Sequence, residues 1–196
     1  SISADPNPKG PGIVEEDASS YFKPASFASR YQSFTPGSFA QSTSDLQANI
    51  ESDLVIKFWF MPTILLARDQ TLLSWGDISI SLDQQGIITA KLANGILLSS
   101  TSSVKIHNWY SFEIKLSASG RTTLDLQHLA NSETCLGAKK EGDPVTGKGE
   151  LFPISIKAPI RIAASFRDAP SCFNGKIEAP EILADGKLNA KWDFST

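Results

Sequence analysis

The sequence predicts an all-β protein: a two-sheet antiparallel sandwich behind an extended N-terminal arm. Three observations carry this. Apolar and polar residues alternate in several short runs, turn residues separate those runs, and there is almost no helical signal. Successive side chains of a strand point to opposite faces, so period-two alternation marks a sheet with one buried face.

Residues 3–12 of the N-terminal arm are dense in proline and glycine, which excludes helix and a central strand and predicts an extended path over a surface. Tyr21, Phe22, Phe27, Tyr31, Phe34 and Phe39 make the arm richer in aromatics than a disordered tail, which favours ordering by packing. The chain therefore divides into an arm over residues 1–40 and a sandwich over residues 41–196.

Asp53 to Pro62 is the first strong strand, with Leu54, Ile56, Phe58 and Phe60 on one face. Its second face carries Val55, Lys57 and Trp59, bulk that suits a central strand. Thr71 to Trp75 follows and ends in a Gly76-Asp77 turn. Ile78–Leu82 and Ile87–Leu92 flank Asp83-Gln84-Gln85-Gly86, a hairpin loop with glycine where positive φ is needed. Asn94-Gly95 marks a tight turn into Ile96–Ser99. Trp109 to Leu116 alternates Tyr110, Phe112, Ile114 and Leu116, then turns at Ala118-Ser119-Gly120 into Arg121–Leu129, with Leu124 and Leu126 on one face. Residues 131–150, with Gly137, Gly142, Pro144, Gly147 and Gly149, read as a long exposed loop. Strands resume at Ile154–Ile156 and Ile160–Phe166, and Asn174-Gly175 leads into Lys176–Glu178.

A chain of 196 residues, 41% hydrophobic and 20% charged, is ordinary for a globular domain able to bury a core without staples. A net charge of -3 leaves no electrostatic footprint for nucleic acid or an anionic membrane. The longest apolar stretch, Leu54 to Leu66, is broken by Lys57, Pro62 and Thr63, and falls short of the roughly 20 residues that span a bilayer. Neither nucleic acid nor membrane is expected as a partner. Cys135 and Cys172 fit two free thiols of a cytoplasmic protein, which the low count favours, or one disulfide of a secreted one. The chain opens on Ser1 rather than methionine, so it is expected to be processed or cut from something longer.

Catalytic signals are thin. His107 reads as a solvated turn residue and His128 as a partly buried structural one, and neither belongs to a Ser/His/Asp or Cys/His pattern. Sandwich glycosidases need paired carboxylates. Glu51-Ser52-Asp53 begins a Glu-x-Asp-x-x-Glu pattern, but Ile56 stands where the third acid belongs, and Glu15-Glu16-Asp17 fails likewise at Ser20. The glycine-rich 137–149 stretch lacks the GK[ST] ending of a phosphate loop. No calcium loop or metal-ligand spacing appears, so no catalytic residue, metal or cofactor is expected in this chain. Carbohydrate binding needs exposed aromatic platforms. Trp59, Trp75 and Trp109 are the candidate ligand-binding residues, against the competing reading of tryptophans as core or interface residues.

The order of these signals resembles the concanavalin A-like, laminin-G-like jelly roll. The carriers are Leu54 to Pro62, Gln70 to Gly76, the Ile78 to Leu92 hairpin, His107-Asn108-Trp109-Tyr110-Ser111-Phe112, and Phe173-Asn174-Gly175-Lys176-Ile177-Glu178-Ala179-Pro180. The resemblance covers about residues 35–190 and speaks for fold far more than for function. The ends, residues 5–16 and 191–195, look like the entry to and exit from the sandwich domain of the large subunit of N,N-dimethylformamidase-like proteins. That resemblance implies an iron-dependent amide hydrolase whose ligands lie in a following domain, and a small partner subunit. None of those ligands carries over to Tyr21, Tyr31 or Tyr110. The chain is accordingly expected to be a non-catalytic structural or interaction domain packing against neighbouring domains of a larger polypeptide. The alternative is a free carbohydrate-binding, lectin-like module.

Overall fold

The structure is a computed structural model that describes residues 20–23, 39–92, 95–131, 139–140, 145–148, 153–166 and 171–192. It is a jelly-roll sandwich. In chain order the strands are β1 (Ser20–Lys23), β2 (Phe39–Ser42), β3 (Leu46–Ile50), β4 (Asp53–Pro62), β5 (Gln70–Trp75), β6 (Ile78–Leu82), β7 (Ile88–Lys91), β8 (Leu97–Ser99), β9 (Asn108–Ser117), β10 (Arg121–Asn131), β11 (Lys139–Lys140), β12 (Val145–Lys148), β13 (Ile154–Ala158), β14 (Ile160–Ile162), β15 (Gly175–Ala184) and β16 (Lys187–Lys191). The first sheet runs β1-β2-β14-β5-β6-β7-β8. The second runs β11-β10-β9-β4-β15-β16, with β12 also pairing β10, and β13 and β3 form a separate ribbon. Neighbouring strands pair antiparallel throughout.

Alternation places the core as the sequence predicts. Leu54, Ile56, Phe58 and Phe60 of β4 are buried, as are Tyr110, Phe112, Ile114 and Leu116 of β9, Ile78, Ile80 and Leu82 of β6, and Leu124 and Leu126 of β10. Each such side chain contributes roughly 1.5–3 kcal/mol relative to leaving it exposed. Phe58 stacks on Phe112 with ring centroids 4.9 Å apart, and Phe60 stacks on Tyr110 at 5.6 Å. Phe173 meets Phe60 edge-on at 6.3 Å. Gly175 is required beside it, because a Cβ there would lie 2.2 Å from the Met61 carbonyl oxygen. Gly86 closes the β6–β7 hairpin at φ 80°, and its missing Cβ leaves room for the Val104 carbonyl.

Several expectations change. β1 pairs with β2, whose Phe39 and Ala40 are buried, and is an edge strand of the first sheet; neither is among the strands expected from the sequence. The 131–150 stretch is not all loop: Lys139–Lys140 and Val145–Lys148 both pair with β10, supplying backbone partners along its edge. The strand expected at Lys176–Glu178 extends from Gly175 to Ala184 through a bulge between Glu178 and Glu181. The strand expected to reach Phe166 stops at Ile162, because Ala163 takes φ 69° and bends the chain. Asn94 lies outside the described residues, as does most of the proline-rich arm.

Asp185 and Gly186 form the two-residue turn from β15 to β16, both at positive φ. The Asp185 carboxylate accepts the backbone N–H groups of Glu51, Ser52 and Asp53 at 2.6–3.1 Å, and the Ser52 hydroxyl at 2.9 Å. The Asp53 carbonyl accepts the Asp185 N–H in return, at 2.8 Å. These bonds, led by that from Ser52, lower the Asp185 pKa from 3.8 to about 2. A depressed carboxylate contributes stability that is complete above its unfolded pKa and is lost as pH falls through its folded one. The urea midpoint of the wild type should therefore fall more steeply between pH 4 and pH 2 than that of Asp185→Asn. Equal slopes in that window would contradict the assignment.

Candidate functional site

The outer face of the first sheet is polar because its inward positions take the apolar residues. Thr71 of β5 stands opposite Ser81 of β6, Ser81 opposite Thr89 of β7, and Thr89 opposite Ser99 of β8. The Thr89 and Ser99 hydroxyls bond to each other at 2.8 Å. A parallel row runs Gln41, Arg161, Ser74, Ser79, Lys91 and Leu97 across β2, β14 and β5 to β8. Strands step by about 4.8 Å, so each row offers one side chain per step.

A groove of about 510 Å³ lies over this floor. Thr71, Ser79, Ser81, Thr89 and Lys91 line its base, with Asp83 and Leu97 beyond them. Asp69, Ser165, Phe166 and Ser171 line the remaining wall. The wall exists because Ala163 turns the chain back over β5, donating its N–H to the Leu72 carbonyl at 2.7 Å. The Ser171 N–H donates to Ser165 Oγ at 2.9 Å, the Ser171 hydroxyl donates to the Asp69 carbonyl, and the Thr71 N–H donates to the Ser171 carbonyl. Phe166 is 39% exposed at the rim. Asp83 spends one carboxylate oxygen on the Gln85 and Ile87 N–H groups, both at 2.9 Å, which fixes the β6–β7 turn. Hydroxyls that donate and accept, carboxylates that accept, an ammonium that donates and one ring face suit a polyhydroxylated ligand.

The three tryptophans part company. Trp75 is fully buried, and its indole N–H donates to the Leu46 carbonyl at 3.2 Å. It is a core residue, because β5 turns Leu73 and Trp75 toward the interior beyond a bulge, and it leaves the set of ligand candidates. Trp59 and Trp109 share the outer face of the second sheet. Trp59 is 50% exposed and stands opposite Ser111, two residues from the partly buried Trp109. Such diagonal neighbours sit about 7–8 Å apart at Cα. Around them the face is charged: Glu181 bridges Lys57 at 3.2 Å and Lys191 at 3.1 Å. Burial alone would raise the Glu181 carboxyl, but the two lysines hold it below its ordinary value.

The remaining candidates have structural roles. His107 is exposed at φ 60°, and its N–H donates to the Pro62 carbonyl at 2.7 Å. His128 Nε2 bonds Asn108 Oδ1 at 2.9 Å and its ring tilts against Tyr110. Glu51 is exposed, whereas Asp53 pairs with Lys115 at 3.4 Å and accepts the Gly186 N–H, a turn role that the sequence did not reveal. Among the described residues no three His, Cys, Asp or Glu side chains gather as metal ligands. Cys135 lies outside the described residues. Cys172 is buried beside Phe39 and Ala164, and burial pushes its thiol up to about 11 against the opposing pull of Arg68 and Arg161.

No family model matches the chain, and no curated protein does. Solved structures do match. Full-length tailspike protein 2 of an Escherichia coli O157:H7 bacteriophage aligns at 11% identity and a TM-score of 0.52, over 80% of this chain and 25% of its own. The enzymatically active domain of that tailspike gives the same score over 28% of its length. A heptameric SAP-like pentraxin from Limulus polyphemus aligns at 11% identity and a TM-score of 0.49, over 72% of this chain and 67% of its own. This chain thus spans about a quarter of the tailspike. At such identities the likeness is one of fold. It gives no support to the resemblance of the chain ends to the N,N-dimethylformamidase large subunit.

Two outcomes follow from the burial of these side chains. Trp75→Ala should cost about 3–5 kcal/mol in urea unfolding, and Trp59→Ala less than about 1 kcal/mol. Similar costs would contradict the assignment of one to the core and the other to the surface. In a Cys135→Ser background, Cys172 should resist an aromatic disulfide reagent at pH 8 until the protein is unfolded. Prompt labelling of the native protein would contradict its burial.

Proposed function

We propose that this domain is a non-catalytic carbohydrate-binding module that seats a glycan in the groove on the outer face of the first sheet. The observation that carries the reading is the row Thr71–Ser81–Thr89 on the groove floor beside the exposed ring of Phe166. Sugars present hydroxyls on their edges and C–H groups on their faces. A floor of hydroxyls beside an aromatic wall meets both demands. Trp59 and Trp109 offer a second, separate platform on the other sheet, flanked by Ser111 and Glu178.

A second reading is an interaction domain of a longer polypeptide. It is supported by the large side chains that the second sheet leaves exposed, Trp59 and Leu188, on β4 and its edge strand β16. Its narrowest form is the sandwich domain of an N,N-dimethylformamidase-like large subunit, with iron chemistry in another domain and a small partner subunit. That form rests on residues 5–16 and 191–195 alone. A native mass several times the 21.2 kDa of this chain, detected by an antibody to the domain, would favour it.

The glycan reading is tested by affinity electrophoresis against a panel of neutral plant and bacterial polysaccharides. Mobility of the wild type should fall in at least one gel. Phe166→Ala and Ser81→Ala/Thr89→Ala should each weaken retention about tenfold, equivalent to ~1.4 kcal/mol, while Trp59→Ala should retain it. Loss of retention in Trp59→Ala with Phe166→Ala unaffected would move the ligand to the second sheet. Absence of retention in every gel would reject the module.

A further inference from the structure

We infer that Arg161 is the positioning residue of the groove: it holds Phe166 in place as the aromatic wall. Arg161 does not line the groove. It stands in β14 on the same outer face, between Gln41 of β2 and Ser74 of β5. Its guanidinium carbon lies 4.3 Å from the Phe166 ring centroid and 4.7 Å from that of Phe39. Phe39 is buried with Ala164 and Cys172 in a small cluster apart from the main core, and Phe166 is exposed, so the guanidinium joins that cluster to the rim.

The contacts suit arginine and no other cation. A guanidinium is flat and can lie against two rings at once, whereas an ammonium is a compact point charge. Its edge is engaged as well. Arg161 Nε donates to Gln41 Oε1 at 2.6 Å, and an η nitrogen donates to the Ser165 carbonyl at 2.7 Å. That carbonyl belongs to the residue before Phe166, so one side chain fixes both the ring and the main chain that carries it. The segment arrives under constraint, since Ala163 lies at φ 69° and the Ser165 hydroxyl accepts the Ser171 N–H. Loss of the guanidinium would leave the hydroxyl floor of β5 to β7 in place and release the ring of the wall.

The positioning role stands on this geometry alone, and its consequence for affinity rests on the glycan reading. The test uses protein labelled with 4-fluorophenylalanine and followed by fluorine NMR, with the Phe166 line assigned by its disappearance in Phe166→Leu. Arg161→Lys keeps the charge and loses the flat fork. Its Phe166 line should shift or broaden, while the lines of Phe58, Phe60 and Phe112 stay in place and report a folded core. Gln41→Ala removes one support only, should move the same line less, and decides the matter if Arg161→Lys does not fold. A Phe166 line unchanged in folded Arg161→Lys, or in Gln41→Ala where that variant decides, overturns the inference. Against a polysaccharide that retains the wild type, Arg161→Lys should bind roughly 2- to 5-fold more weakly, the equivalent of one exposed cation–π contact. A moved ring with unchanged affinity overturns the link to binding. A wild type retained by no polysaccharide rejects the glycan reading, and the fluorine line still decides the role of Arg161.

Discussion

The two sheets meet through a layer of rings, and the rest of the molecule depends on that contact. Phe58, Phe60, Tyr110, Phe112 and Phe173 belong to one continuous buried cluster with Trp75, Ile78 and Ile80 of the opposite sheet. Close packing makes each position sensitive to the loss of even one methylene. It also fixes register, because a slip of one residue would turn the strand-borne members of this cluster outward. With the inward positions committed, the outward positions of the same strands are free to carry chemistry. The polar groove and the tryptophan-bearing face are the two products of that division.

Legibility in the sequence followed the strength of alternation. The strand over Asp53–Pro62 was readable to its ends because its five inward residues, Leu54, Ile56, Phe58, Phe60 and Pro62, are all apolar, and Ile78–Leu82 because Ile78, Ile80 and Leu82 are apolar too. Lys187–Lys191 was not readable, because an edge strand with no fully buried residue imposes no pattern on its side chains. Phe39–Ser42 and Leu46–Ile50 were missed because they are short and carry Gln41, Gln47 and Asn49, which pair across the sheet rather than pack in the core. The Asp185-Gly186 turn carries a clear hairpin dipeptide. Its link to residues 51–53 is a contact across the chain that no local window contains.

The candidate site was less legible than the fold. Tryptophan attracts notice in a search for sugar platforms, yet Trp75 serves the interior. The groove is built from serines and threonines that are unremarkable one by one and meaningful only as a row. The available signal was their shared parity: Ser79, Ser81 and Thr89 all fall on the outward phase of consecutive strands. The wall was beyond reach, because Phe166 is placed by the bend at Ala163 and by Arg161, neither of which has a sequence signature. Local pattern thus fixes which side of a sheet a residue faces, and long-range contacts decide what stands above it.

The most direct test of this account is to map backbone amide shifts of the isotope-labelled domain during titration with oligosaccharides cut from any polysaccharide that retards it. The account predicts that the largest changes fall on β6, β7 and the segment around Phe166, with the amides of Trp59, Trp109 and Ser111 unmoved. Changes centred on Trp59 and Trp109 with a silent first sheet would contradict it.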